Sequence, residues 1–169
     1  MRAPSLVGLI ACFLAACSDS GTDPVFVPPN ATRVEVDSVE RLLHYFGGNS
    51  GIETRERMVI RDQAAWITLW DRLNAGAGVQ PQVDAPVVDF DRYMVIVATM
   101  GLRHTGGFQI IVQSVHRVGA DLYVVVDERG HAGCGVTQAF TEPLDGVVVP
   151  RTEGEVVFVE RTSVHRCGP

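Results

Sequence analysis

The chain contains no lysine, few aromatic residues and no long hydrophobic run, and each absence narrows what it can do. All fourteen of its cations are arginine, and they face twenty acidic residues, which gives a formal net charge of -6. An acidic chain without a basic stripe is a poor binder of nucleic acid. The Gly-x-Ser-x-Gly, His-Glu-x-x-His and phosphate-loop motifs are also missing from the sequence. Familiar catalytic and nucleotide-binding patterns are therefore excluded, and no cofactor is predicted.

The apolar segment Ser5–Ala16 follows Arg2 and is too short to cross a bilayer. Small residues lead from it directly into Cys17, an arrangement that resembles the bacterial lipoprotein signal. On this interpretation residues 1–16 are a signal peptide, and the acylated Cys17 anchors the mature chain to a membrane. An ordinary secretory signal is the alternative, and cleavage before Cys12 fits the pattern less well. Either signal predicts export, and the lipoprotein signal predicts a place in the bacterial cell envelope.

The mature chain divides into a tether and one domain. Residues 17–32 are rich in Ser, Asp, Pro and Gly, a composition typical of a flexible linker. Residues 33–169 are numerous enough to enclose a single hydrophobic core. The sequence therefore predicts one domain held away from a membrane.

Cysteine usage predicts a disulfide near the C-terminus. Cys12 leaves with the signal and Cys17 carries lipid, so Cys134 and Cys167 are the pair that remains, in a compartment where disulfides persist. Two alternatives stay open. Together with His131 and His165, these cysteines form the ligand set of a structural zinc site, although His165 and Cys167 are closer in sequence than zinc ligands usually are. An activated Cys134 beside a histidine would instead suit a thiol-dependent hydrolase.

One helix is clearly predicted, over Asp62–Asn74. Asp62 is a good N-cap residue, and an apolar stripe that includes Trp66 and Trp70 recurs at helical spacing. Gly76 follows the predicted end, as glycine commonly does. Such a stripe is typical of a helix packed on a sheet, and a ligand-stacking face is the less common use of paired tryptophans.

The remaining pattern predicts strands. Tyr93–Ala98 is a continuous apolar run, as in a strand covered on both faces. Arg33–Phe46 fits a strand and a helix equally well. A hairpin turns at Gly119-Ala120-Asp121. The predicted strands are Arg55–Arg61, Tyr93–Ala98, Phe108–Val118, Leu122–Glu128, Val136–Thr141, Val147–Val149 and Glu155–Arg161. The predicted fold class is α+β, a mainly antiparallel sheet with the principal helix Asp62–Asn74 packed on one face.

An ordered set of motifs resembles the domain at the C-terminus of PrcB, a subunit of a protease complex. The resemblance rests on Met100–Ile110, Gly135–Pro143, Val147–Arg151 and Gly154–Phe158, and it extends upstream to Gly51. Departures occur where Phe108 replaces a frequent tyrosine, where Leu144 replaces a frequent aromatic residue, and where Gly130–Cys134 replaces a more proline-rich loop. The resemblance implies an exported accessory domain that associates with a protease or another envelope protein, without catalytic residues or a cofactor.

The distinctive loop of this set is the candidate partner-binding site: Arg103, His104, Thr105, Gly106, Gly107 and Phe108. Its amides and charge could meet a partner carboxylate, while a tight strand connection is the plainer interpretation of the glycine pair. The predicted function is a membrane-anchored, non-enzymatic module that binds an exported protein, by strand addition at a neighbouring sheet edge. A thiol hydrolase and a structural envelope lipoprotein without a dedicated partner are the alternatives.

Overall fold

The structure is a computed structural model that describes residues 26–38, 48–76 and 84–168. These residues contain eight strands and one helix. The strands are β1 Thr32–Val34, β2 Asp37–Ser38, β3 Arg57–Ile60, β4 Tyr93–Thr99, β5 Gln109–Val118, β6 Asp121–Ala132, β7 Leu144–Pro150 and β8 Val156–Arg166. The helix, α1, spans Gln63–Gly76. The predicted signal segment and Cys17 lie outside the described residues.

The eight strands form two four-stranded sheets. Sheet 1 has the order β1-β5-β6-β8 and sheet 2 the order β2-β7-β4-β3. Neighbouring strands are antiparallel except for β6 and β8, which run parallel from Leu122↔Val156 to Ala132↔Arg166. Among the described residues, β1 and β8 are the edge strands of sheet 1, and β2 and β3 are those of sheet 2. The longest of these four is β8.

The apolar strand β4 is covered on both faces, as predicted from its sequence. Met94 and Ile96 point into the core between the two sheets, whereas Val95 and Val97 point into a second core beneath α1. Alternation of side chains along a strand sends successive residues to opposite faces. A strand buried on both sides therefore needs an uninterrupted apolar run.

Helix α1 begins as its sequence predicts. The Asp62 carboxylate accepts a hydrogen bond from the Ala65 N–H at 2.8 Å and so caps the first turn. The rings of Trp66 and Trp70 lie 5.3 Å apart and are buried with Leu69 and Leu73 against sheet 2. Both tryptophans thus belong to the core.

The prediction of an α+β fold is wrong, because the described chain is mainly sheet and contains a single helix. Two of the strands extend well beyond their apolar patterns. β6 continues beyond Glu128 to Ala132, and β8 continues beyond Arg161 to Arg166, through mostly polar or small residues. These extensions pair with each other through the backbone, which requires no particular side chain. Two packed sheets result, and α1 covers an outer face.

One further strand prediction is wrong, and one assignment that the sequence left open is settled in part. Val136–Thr141 is not a strand; it contributes only an isolated antiparallel bridge between Thr141 and Arg103. The described part of the ambiguous Arg33–Phe46 segment forms strand at Arg33–Val34, within β1, and at β2, and the segment beyond Ser38 lies outside the described residues. Within the described ranges, α1 is too short to cross a bilayer.

Candidate functional site

The loop Arg103–Phe108 lies against the segment 137–141. Arg103 and Thr141 exchange backbone hydrogen bonds of 2.8 and 3.0 Å, and the Gly106 N–H donates to the Thr137 carbonyl at 2.9 Å. The Thr141 hydroxyl donates to the Thr105 carbonyl at 3.0 Å. Several polar groups of the loop are therefore already used within the protein, so binding of a partner carboxylate by these amides would first require breaking those bonds.

Both glycines of the loop are required by its packing. Gly106 is buried, and a side chain there would collide with the Thr137 hydroxyl. Gly107 has a φ of 83°, and a Cβ atom at this position would lie 2.6 Å from a methyl group of Val136. Bulky replacements would thus disturb the loop itself and report poorly on partner binding.

Side chains at the surface of this loop remain accessible. His104 meets the edge of the Phe140 ring at a centroid distance of 5.4 Å, and Phe140 is 62% exposed. Thr137, Gln138 and Ala139 are exposed beside them. We call His104 and residues 137–140 the loop surface. The sequence pattern placed 136–141 in a strand, so it missed Phe140 as a surface residue.

Beneath the loop surface, Phe108 packs between polar groups. The His131 ring meets it edge-on at 5.0 Å, and the Arg103 guanidinium carbon lies 5.6 Å from its centroid. Arg103 Nε and His131 Nε2 are buried without a hydrogen-bond partner among the described residues. Phe108 therefore holds the end of the loop by ring contacts with Arg103 and His131.

An ion-pair cluster joins the two sheets below Arg103. Arg57 of β3 donates to Glu128 of β6 at 2.6 Å and to Glu160 of β8 at 2.8 Å, and Arg55 contacts the same two glutamates. Burial acts to raise the pKa of Glu128, but hydrogen bonds from Arg57 and Arg55 outweigh it and lower that pKa. Glu128 is also 3.9 Å from Arg103, so the cluster supports the start of the loop.

In the part of the chain that the structure describes, no strand pairs with the outer edge of β8, which lies near Gly107 at the end of the loop. Its residues Glu160–Arg166 are exposed, and Val164 is 53% exposed. An edge strand carries backbone N–H and C=O groups that a further strand can pair with. A cavity of about 460 Å³ connects this edge with the end of the loop. Its lining consists of Gly107, Gln109, Arg129, Gly130, Ser163, Val164 and His165.

Cys134 and Cys167 are joined by a disulfide in the structure, with their Cα atoms 5.0 Å apart. The bond ties the end of β8 to the loop after β6. His165 is near it, since its ring nitrogen and the two sulfurs all lie within 4.8 Å of one another. His131, the fourth residue of the zinc alternative, is not part of this group and packs on Phe108. Sulfurs bonded to each other are not available as thiolate ligands.

Removing this bond with Cys134→Ser and Cys167→Ser together should lower the free energy of unfolding by about 2 kcal/mol, because the unfolded chain regains the freedom of a long loop. We expect the largest local effect at the end of β8, where hydrogen exchange of residues 162–167 should accelerate. Urea unfolding and exchange mass spectrometry measure the two effects. If the double variant is destabilised but the hydrogen exchange of residues 162–167 is unchanged, the disulfide does not hold the end of β8 in place.

Residues 94–150 match the family model described as PrcB C-terminal. This segment runs from β4 to the end of β7 and contains the loop Arg103–Phe108, so the resemblance deduced from the motifs is confirmed there. The part of that resemblance upstream of residue 94 and the motif Gly154–Phe158 lie outside the match. No curated protein and no solved structure matches the chain.

Proposed function

We propose that this chain is an exported, lipid-anchored accessory module that binds another envelope protein and performs no catalysis itself. The observation that carries the proposal is the PrcB C-terminal match over residues 94–150, which is consistent with an accessory role in a protease complex. A protease is therefore the first partner to consider. The match includes the loop surface, where Phe140 is exposed and packs against the His104 ring.

The anchor is proposed from the sequence alone. A short apolar segment followed by small residues and Cys17 supports acylation of that cysteine. Two or more acyl chains give stable attachment, since each buried methylene contributes about 0.8 kcal/mol. Attachment to the cell envelope would keep the domain close to exported partners.

Docking is proposed at the loop surface together with the open edge of β8. A partner segment that adds as a further strand would gain main-chain hydrogen bonds along Glu160–Arg166. Phe140, which is 62% exposed on the loop surface, would supply apolar contact area to another part of the same partner. Neither feature needs a deep pocket.

The thiol-hydrolase alternative requires a free thiolate, whereas the Cys134 sulfur is bonded to Cys167 in this structure. Intact mass under non-reducing conditions separates the two functions, because the bond removes two hydrogens. The other alternative, a structural lipoprotein without a dedicated partner, is tested by the next experiment.

The test uses photo-crosslinking amino acids in the full-length chain within its native envelope. We expect a crosslinker in place of Phe140 or Val164 to capture the same exported protein. Ile67, which is 40% exposed on α1, is the matched control position and should not capture it. Adducts equal at all three positions, or none at Phe140 and Val164, would contradict docking at this surface.

A companion variant, Cys17→Ser, tests the anchor. The chain should lose its lipid and leave the membrane fraction, and crosslinking through Phe140 should become weaker. Retention of the full-length chain in the cytosol would refute the export proposal.

A further inference from the structure

Extending the proposed docking role, we infer that the partner segment is an extended acidic peptide, which adds to the edge of β8 and places a carboxylate in the neighbouring cavity. The cavity of about 460 Å³ is lined by Gln109, Arg129 and Ser163, which are neighbours across sheet 1, and by Gly107 at the end of the loop. Ser163, Val164 and His165 of the lining belong to the edge strand β8.

The chemistry of the lining favours an anion. Arg129 and His165 line the cavity with Gln109 and Ser163, and its described lining residues include no acidic side chain. This is unusual in a chain with a net charge of -6. A partner carboxylate would therefore find donors here and repulsion over much of the remaining surface.

One carboxylate, that of Asp127, is adjacent to the cavity, and it already accepts hydrogen bonds within the protein. The Asp127 carboxylate accepts a hydrogen bond from Arg129 Nε at 2.7 Å and another from the Ser163 hydroxyl at 3.0 Å. Asp127 is buried, so it orients the Arg129 guanidinium and is shielded from a ligand. The Nη groups of Arg129 are then available to a second carboxylate, the usual fork geometry of arginine recognition.

The register of sheet 1 brings these groups within reach of an added strand. Gln109, Arg129 and Ser163 are direct neighbours across β5, β6 and β8 and so share one face. A strand beyond β8 lies about 10 Å from β6, two strand spacings away. A glutamate on the same face of that strand and the long Arg129 side chain together span this distance.

A second copy of this chain is a poorer occupant of the same edge. Its β8 would bring Arg161 and Arg166 toward the same arginines of the first copy, and like charges across a strand pair are destabilising. The only acidic residue of β8, Glu160, is already paired with Arg57.

The test measures binding of short extended peptides to the full-length lipidated chain in detergent by fluorescence anisotropy. The peptides alternate Thr and Val and carry Glu, Gln or Lys at the same positions on one face. We expect the Glu peptide to bind about tenfold more tightly than the Gln peptide, and the Lys peptide to bind least. Arg129→Gln should remove most of the preference for Glu. Arg72→Gln, on the distant helix and paired with Glu56, should retain it.

A fourth peptide, the Glu peptide with N-methyl groups on alternate amides, tests strand addition without altering the protein. It should lose binding, because methylated amides cannot donate to β8. Equal affinity for Glu and Gln peptides, equal binding of the methylated peptide, or self-association of the chain at this edge would overturn the inference. The crosslinks expected at Phe140 and Val164 do not depend on charge, so they test the docking role separately.

Discussion

Replacing Trp66 with alanine should lower the free energy of unfolding by about 3–5 kcal/mol, one of the largest effects expected of a single side chain here. Trp66 has no exposed surface, and its removal would leave a cavity between α1 and sheet 2. The loss includes a hydrogen bond, since Trp66 Nε1 donates to the Pro86 carbonyl at 2.9 Å. Urea unfolding followed by circular dichroism measures the change.

The matched control for Trp66 is the next residue along the helix. Ile67 is 40% exposed, so Ile67→Ala should change the same free energy by less than about 1 kcal/mol. Trp66→Phe should fall between the two, because it keeps most of the ring volume and loses the N–H donor. Similar losses from Trp66→Ala and Ile67→Ala would contradict the packing of α1 described here.

The elements that were correctly predicted from the sequence are those whose buried side chains form a regular pattern within one segment of the chain. In α1, four residues at helical spacing are buried together, and in β4 successive residues enter two different cores. In both elements, the apolar pattern of the sequence matches the side chains that are buried in the folded protein. Strand β8 differs, since its residues after Val159 are exposed and, apart from Val164, polar, and pairing with β6 keeps them extended. A pattern of side chains carries no signal for that pairing.

The candidate site was predictable in part for a similar reason. The glycine pair at Gly106 and Gly107 marks a special backbone in any context, so the loop could be located from its sequence. Its contacts are long-range: segment 137–141 pairs with it, and Arg129 and Ser163 meet only because β5, β6 and β8 are neighbours. These neighbours are far apart in the sequence, so a pattern within one segment does not reveal them. The match to a family model identifies the segment but does not identify the protein that it binds.

A buried carboxylate that holds the two sheets together escaped the sequence pattern as well. Asp145 of β7 is 5% exposed, and it accepts hydrogen bonds from the N–H groups of Val112 at 2.7 Å and of Gly146 at 2.8 Å. The register of β5 with β6 shifts between Val112 and Ser114. Because of this irregularity the Val112 N–H is directed to sheet 2, and Asp145 satisfies it there.

Asp145→Ala should lower the free energy of unfolding by about 3 kcal/mol, because two buried N–H groups lose their acceptor. Asp145→Asn should cost less, since its amide oxygen can still accept from one of them. Burial raises the pKa of Asp145 above its ordinary value, although the two backbone hydrogen bonds act in the opposite direction. The contribution of its titration to stability is therefore complete below the pKa of an unfolded aspartate, about 4, and is lost as the pH rises through the folded value.

The pH dependence separates this carboxylate from the ion-pair cluster. We expect the stability advantage of the wild-type chain over Asp145→Asn to be greatest in acid and to shrink as the pH rises toward neutrality. Urea unfolding of both proteins across that range measures it, and the lowered pKa of Glu128 cancels because both chains contain the cluster. Asp71→Asn, at an exposed position of α1, should change stability by less than about 0.5 kcal/mol throughout. An advantage that instead grows with pH would mean that the charged carboxylate, held by its two N–H donors, is the favoured form of Asp145.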